Sequence, residues 1–347
     1  MTKKRIYIQD AAQISVQKPL SEEWMTAPVH YDEPYVRSQD PDFREFFSPL
    51  EARRMGKLLK RALAVSMRVI KNTGIEQPDA IISGTGLGCI ENTELFLNAM
   101  CREGETLLKP TAFMQSTHNT ISSLLSINLK CHGCNVTYAH KGISFDSALF
   151  DAWLQLQLGK IGNALVGTHD EVTPSYFTLL QRIGYVGGDM QGFCGEASVA
   201  AMLNTAGSSN LCELCGMSML YKPSAERMKA ELGRLFADEG ITVEEIDAVM
   251  TGVNGSKAND EIYAANIAEL LPAVPEIRYK HIFGESYSAS GFALYAAAHC
   301  LHKGFIPEVM YAGEAIPKGR KPQYILLFNQ FEAKTYSLIL LHSVCGK

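Results

Sequence analysis

The stretch NVTYAHKGISFDSA, residues 135–148, constrains the chain most. Residues 135–139 read as a buried strand, which turns sharply into a helix that continues to about Gly159. That is the architecture of a nucleophile elbow, a strand-to-helix turn that presents one side chain at a helix N-terminus. The dipole and the free N–H groups there would lower the pKa of a thiol and hold an oxyanion. A chain built around such a turn is α/β, with strands covered by helices.

Other segments fit the same plan in order. They are a long helical pattern at 46–75, a strand and glycine loop at 78–96 (PDAIISGTGLGCIENTELF), and a helix with an HG turn at 109–138. Strands ALVGTHDE (164–171) and GFCGEASVAAML (192–203) follow, then LCELCGMSML (211–220). The later segments are ITVEEIDAVMTGVNG (241–255), YKHIFGESYSASG (279–291) and a last strand, FNQFEAKTYSLILL (328–341). Taken together these resemble a β-ketoacyl synthase of the thiolase superfamily. The resemblance implies a thiolase-like five-layer arrangement, α-β-α-β-α, in two pseudo-symmetric halves, 1–207 and 208–347. AGSSN (206–210) is the best linker between them, and 17–42 is the least regular segment. Each half is expected to hold a mostly parallel sheet.

The resemblance also places the chemistry. The family's elbow carries a nucleophilic cysteine, and the matching residue here is Gly142. Glycine cannot form an acyl-enzyme. Two histidines of the family, in HGTxT and KxxxGHxxxAxG, stabilise an enolate by hydrogen bonding. The matching residues here are Asn254 and Glu285. An amide can still donate, whereas an ionised carboxylate only accepts and repels a malonyl group. Lys280, Glu196 and Phe331 match retained positions, the last near the family's gatekeeper phenylalanine. The expectation is a site without catalytic residues. Ser144 is the alternative nucleophile, with His118, His140 or His169 as its base.

GTGLG (84–88) has Cys89 where a dinucleotide fingerprint wants glycine or alanine, and reads as a close-approach turn. His169, Asp170 and Glu171 alternate across a strand and cannot converge, so a structural hydrogen-bonding role for one acid is favoured. The pairs Cys131–Cys134 and Cys212–Cys215 could suggest zinc. Residues three apart on a strand face opposite sides, so the second pair does not fit a metal. No metal and no cofactor is expected. The other cysteines, Cys89, Cys194 and Cys300 among them, read as small buried hydrophobes of a reducing compartment.

A net charge of −5 gives no reason to expect nucleic acid or an anionic membrane surface as partner. The basic run Arg53, Arg54, Lys57, Lys60 and Arg61 reads as one solvated helix face. MTKKRIYIQD is followed by no apolar region, so no signal peptide is expected, and no run is long enough to span a membrane. Cytoplasmic placement is the expectation. The resemblance implies a dimer, in which the strand before the elbow pairs across the interface. The reading is a non-catalytic, chain-length-factor-like partner of an active ketosynthase in type II polyketide, aryl-polyene or fatty-acid-like biosynthesis. It would form a heterodimer, or a homodimer with itself, and meet acyl carrier protein indirectly. The alternatives are a synthase or acyltransferase with a relocated nucleophile, and a homodimeric scaffold that holds an acyl chain without chemistry.

Overall fold

The computed structural model describes residues 3–53, 55–105, 108–186, 190–206, 209–313 and 321–344. Arg54 of the basic run and Gly207 and Ser208 of the expected linker lie outside the described residues. Twelve strands are described: β1 (Tyr7–Ile14), β2 (Tyr35–Val36), β3 (Ala80–Gly84), β4 (Cys134–Tyr138), β5 (Asn163–Asp170), β6 (Cys194–Gly195), β7 (Ala197–Asn204), β8 (Cys212–Tyr221), β9 (Ala248–Thr251), β10 (Glu276–Arg278), β11 (Tyr324–Phe331) and β12 (Thr335–Ser343). Ten of them form one sheet in the order β10-β9-β11-β12-β8-β1-β7-β5-β3-β4.

The sheet is two copies of one pattern. Counted along the chain within each half, the strand order is 3-2-4-5-1 both times, β4-β3-β5-β7-β1 and β10-β9-β11-β12-β8. The halves join where β1 pairs with β8 over only two residue pairs. Each half holds two parallel and two antiparallel pairings, which corrects the expected mostly parallel sheet. The reason is local in the second half. The tail is a hairpin, β11 and β12, rather than a single strand, and a tight hairpin returns antiparallel.

Three apolar clusters set the layers. The helix Lys57–Thr73 buries Leu59, Ala62, Leu63 and Val69 against the outer face of the first half. The helix Ala225–Glu239 buries Met228, Leu232, Leu235 and Phe236 on the outer face of the second. Between the halves lie the helices Ser144–Gln157 and Ser290–Lys303, whose cluster includes Phe145, Ala148, Ala152, Phe292 and Leu301. The sequence from Ser290 to Leu301 is buried on every side, as a helix between two sheets must be. The result is the expected α-β-α-β-α stack. Among the described residues no helix is long and apolar enough to cross a membrane.

Several local expectations change. The strand before the elbow is half-exposed, because among the described residues β4 ends the sheet and pairs with β3 alone. The basic run does not share one solvated face. A break between the helix Pro49–Ala52 and the helix Lys57–Thr73 separates its members. Arg61 is buried and pairs with Asp40 and Glu196. The irregular 17–42 segment threads inward, burying Gln17, Trp24 and Ser38. Cys131 packs with the outer cluster and Cys134 with the central one, on opposite faces of the sheet. Cys212 and Cys215 divide between clusters in the same way, so neither pair converges on a metal.

Candidate functional site

The elbow follows β4. Lys141 takes a left-handed φ of 52°, the turn Lys141–Ile143 is a short 3-10 helix, and the helix begins at Ser144. A lysine in that region is unusual, so its neighbours must hold it there. Ser144 does much of this. Its hydroxyl is buried, accepts the His140 N–H at 2.7 Å, and lies 2.9 Å from the Thr85 carbonyl and 2.7 Å from the Lys141 carbonyl.

One turn into the helix, Asp146 ties the elbow to the second half. It is fully buried and accepts from the Asn329 amide at 3.1 Å and from the Ser337 hydroxyl. Burial raises its acid above the ordinary carboxylate range, and these hydrogen bonds only partly offset the rise. The Asn329 amide also reaches the Gly142 carbonyl at 3.4 Å. Residues two apart on a strand share a face, so Phe331 follows Asn329 onto the elbow. A Cβ built on Gly142 would lie 2.6 Å from Phe331 Cδ2.

The opposite wall comes from two loops. After β9, Asn254 and Gly255 donate their N–H groups to Asp260, each at 3.0 Å. The Asn254 side-chain oxygen accepts from the Ser256 N–H and the Asn259 amide. With its oxygen so used, Asn254 must turn its NH2 outward, where it donates to Glu285 Oε2 at 2.6 Å. Lys280, in the turn Lys280–Phe283, donates to the same oxygen at 2.7 Å. The Tyr185 hydroxyl is 3.5 Å from the other oxygen, Oε1. Burial and the charge of Glu285 hold the Tyr185 phenol well above its ordinary range, so it stays a donor. The Glu285 backbone is fixed by bonds to Phe193 and Gly195, beside Cys194.

These groups line one cavity of about 220 Å³, with Gly142, Asn254, Lys280, Glu285 and Phe331 all on its wall. The five residues were expected from four separate stretches of sequence. Ser144 and Glu196 are not on that wall. Glu196 lies 2.6 Å from Arg61 Nη1 and accepts the Ser38 N–H at 2.9 Å, so it holds the N-terminal loop rather than the elbow. Sequence reasoning missed Tyr185, Asn259 and Gln330. Gln330 donates to Asn259 at 2.8 Å and braces the Asn254 loop. Alternation along the strand puts Gln330 on the other face from Asn329 and Phe331, so no sequence signal pointed to it. No cysteine and no histidine lines the cavity among the described residues.

The glycine loop has a separate occupant. The N–H groups of Gly86, Leu87 and Gly88 donate to Asp170 at 2.8 to 3.1 Å, and Thr85 and Ser288 add hydroxyls to the same carboxylate. A Cβ on Gly86 would run into Tyr287. A cradle of backbone N–H groups that suits phosphate is filled here by the chain's own acid. Glu171, its strand neighbour, faces the other way and accepts the Glu91 N–H. His169 is buried on that same side.

Residues 23–237 match the family described as the β-ketoacyl synthase N-terminal domain. The chain belongs to the β-ketoacyl synthase family. It is 24% identical over 289 residues to 3-oxoacyl-[acyl-carrier-protein] synthase 2 of Mycobacterium leprae, covering 72% of this chain and 68% of that protein. Two solved structures share the fold across nearly the whole chain. The ishigamide ketosynthase/chain length factor aligns with a TM-score of 0.81 and 17% identity, over 99% of this chain and 100% of its own. A ketosynthase (ApeO) in complex with its chain length factor (ApeC) from Xenorhabdus doucetiae aligns with 0.78 and 13%, over 98% of both. The thiolase-like fold of this β-ketoacyl synthase homologue therefore stands on both sequence and structure.

Proposed function

We propose that this chain is a non-catalytic ketosynthase-fold subunit, a chain-length-factor-like partner of an active ketosynthase. The pathway would be type II polyketide, aryl-polyene or fatty-acid-like biosynthesis. One observation carries the reading: the cavity beside the elbow pairs a glycine under Phe331 with a carboxylate whose donors are all engaged. Condensation needs a nucleophile and donors free to meet a thioester carbonyl. Lys280, Asn254 and Tyr185 turn toward Glu285 instead.

The surface supports a partner. Among the described residues β4 has one unpaired edge, and an open edge invites another strand. Ile127 and Leu154 expose large apolar side chains on helices packed against β4, and Leu95, Phe113 and Met114 do so on the two helices next to them. Carrier protein would be met through the active subunit. Ser144 as a relocated nucleophile finds little support, since its hydroxyl is buried and bonded within the turn.

Co-expression with an active ketosynthase from the same gene neighbourhood tests the reading. The expected result is a stable 1:1 complex burying more than about 2,000 Å², as obligate pairs do. Condensation of malonyl and acyl carrier proteins by this chain alone would overturn it.

A further inference from the structure

Two donors that converge on a single oxygen make an anion site. Lys280 Nζ and Asn254 Nδ2 do this at 2.7 and 2.6 Å, and the Tyr185 hydroxyl stands behind them. The Asn254 amide cannot turn away, because its oxygen is held by Ser256 and Asn259. The Lys280 and Glu285 side chains are only 11% and 4% exposed, so the ammonium needs an anion beside it. The Ser286 hydroxyl, also on the cavity wall, is buried and has no hydrogen-bond partner among the described residues.

We propose that the Glu285 carboxylate is an internal ligand, which occupies an anion site made by Lys280 and Asn254 and so keeps small carboxylates, malonyl groups among them, out of the cavity. The inference rests on the reading of this cavity as one that does no chemistry. An anion tethered to the backbone competes at a very high effective concentration, so a free carboxylate at millimolar levels does not displace it. Glu285 is especially well tethered, since its own N–H and carbonyl are both bonded to the 193–195 segment. Removal of the side chain leaves a buried ammonium, an oriented amide and a free hydroxyl around a space of carboxylate size. Those are the partners a carboxylate from solution requires.

The test is calorimetric titration of the full chain, alone, with sodium malonate at low ionic strength. Wild type is expected to give no saturable binding at millimolar malonate. Glu285→Ala is expected to bind at least about ten-fold more tightly than wild type. Adding Lys280→Met to Glu285→Ala is expected to abolish that binding. Glu285→Gln keeps the cavity filled and is expected to stay closed to malonate. Denaturation curves verify that each variant folds, and Glu285→Ser carries the same expectation as Glu285→Ala should alanine not be tolerated. Equal binding by wild type, no binding by a folded Glu285→Ala or Glu285→Ser, binding that survives loss of Lys280, or binding by Glu285→Gln would each overturn the proposal. Failure of the partner reading shows in complex formation and condensation assays, neither of which enters this titration.

Discussion

The ring edge of Phe331 stands where a side chain on Gly142 would have to go, 2.6 Å from the built Cβ at Cδ2 and 3.1 Å at Cε2. The glycine and the phenylalanine are therefore one packing unit, and a nucleophile cannot be restored by a single change. Gly142→Cys is expected to destabilise the fold by about 1–3 kcal/mol, the usual range for overpacking. Its thiol is expected to react slowly with iodoacetamide. In Gly142→Cys with Phe331→Ala the clash is gone and the helix N-terminus is open to the thiol, so alkylation should become fast. Urea denaturation and mass spectrometry check the two halves of this expectation.

Glu171 should make stability fall as pH rises. Burial pushes its acid from 4.5 up to about 7, and the Glu91 N–H only partly offsets this. Between those values the folded chain holds a proton that the unfolded chain has released. Stability therefore falls with rising pH across that window, and the cost remains above pH 7. Glu171→Gln keeps an acceptor for the Glu91 N–H and removes the titration. It is expected to show a flatter stability profile between pH 5 and 8, and to exceed wild type at pH 8 by up to about 3 kcal/mol. Thermal or urea unfolding across pH measures it.

The candidate site was legible where chemistry resides in single residues within surviving motifs. Gly142 and Glu285 each sit in a stretch whose flanks resemble the family pattern, and Asn254 in a shorter version of one, so all three positions could be singled out without coordinates. Contacts between motifs were not visible. Phe331 meets Gly142 because the tail is a hairpin, and its turn uses Glu332 and Ala333 at φ of 54° and 53°. Such turns ordinarily carry Asn or Gly, so the pattern 328–341 reads as one strand. Arg61 failed for a similar reason. Its helix supplies a basic run, and only the position of Glu196 beside β7 makes one member of that run buried. The order of layers was legible through the resemblance to the family, whose fold the ordered segments share. The mixed direction of the strands was not, because it depends on how each connection returns.

Asp170 is the acceptor for three backbone N–H groups and two hydroxyls of its surroundings. Asp170→Ala strands those donors in a buried place. The expected loss is roughly 3–5 kcal/mol, with new proteolytic cleavage within 84–90. Asp170→Asn retains one acceptor oxygen and should lose less. Limited proteolysis with urea denaturation distinguishes a local opening of the glycine loop from global loss of structure.

Ser144 is expected to act through the elbow's geometry and not as a nucleophile. Ser144→Ala leaves the His140 N–H without its acceptor, and a loss of about 1–2 kcal/mol follows from that group alone. Incubation of wild type with an acyl thioester should leave its intact mass unchanged. A covalent adduct that disappears in Ser144→Ala would instead establish the relocated nucleophile.

The exposed apolar side chains near β4 give the partner reading a surface test. Met114 and Ile127 are 68% and 69% exposed, so charge placed there should change folding stability by no more than about 0.5 kcal/mol. In a complex that uses this face, the same charges would be buried without partners, and association should weaken by at least about ten-fold. Met114→Glu with Ile127→Glu is therefore expected to keep the wild-type melting temperature and to lose the co-purifying ketosynthase. Retained association at full strength would move the interface away from this apolar face.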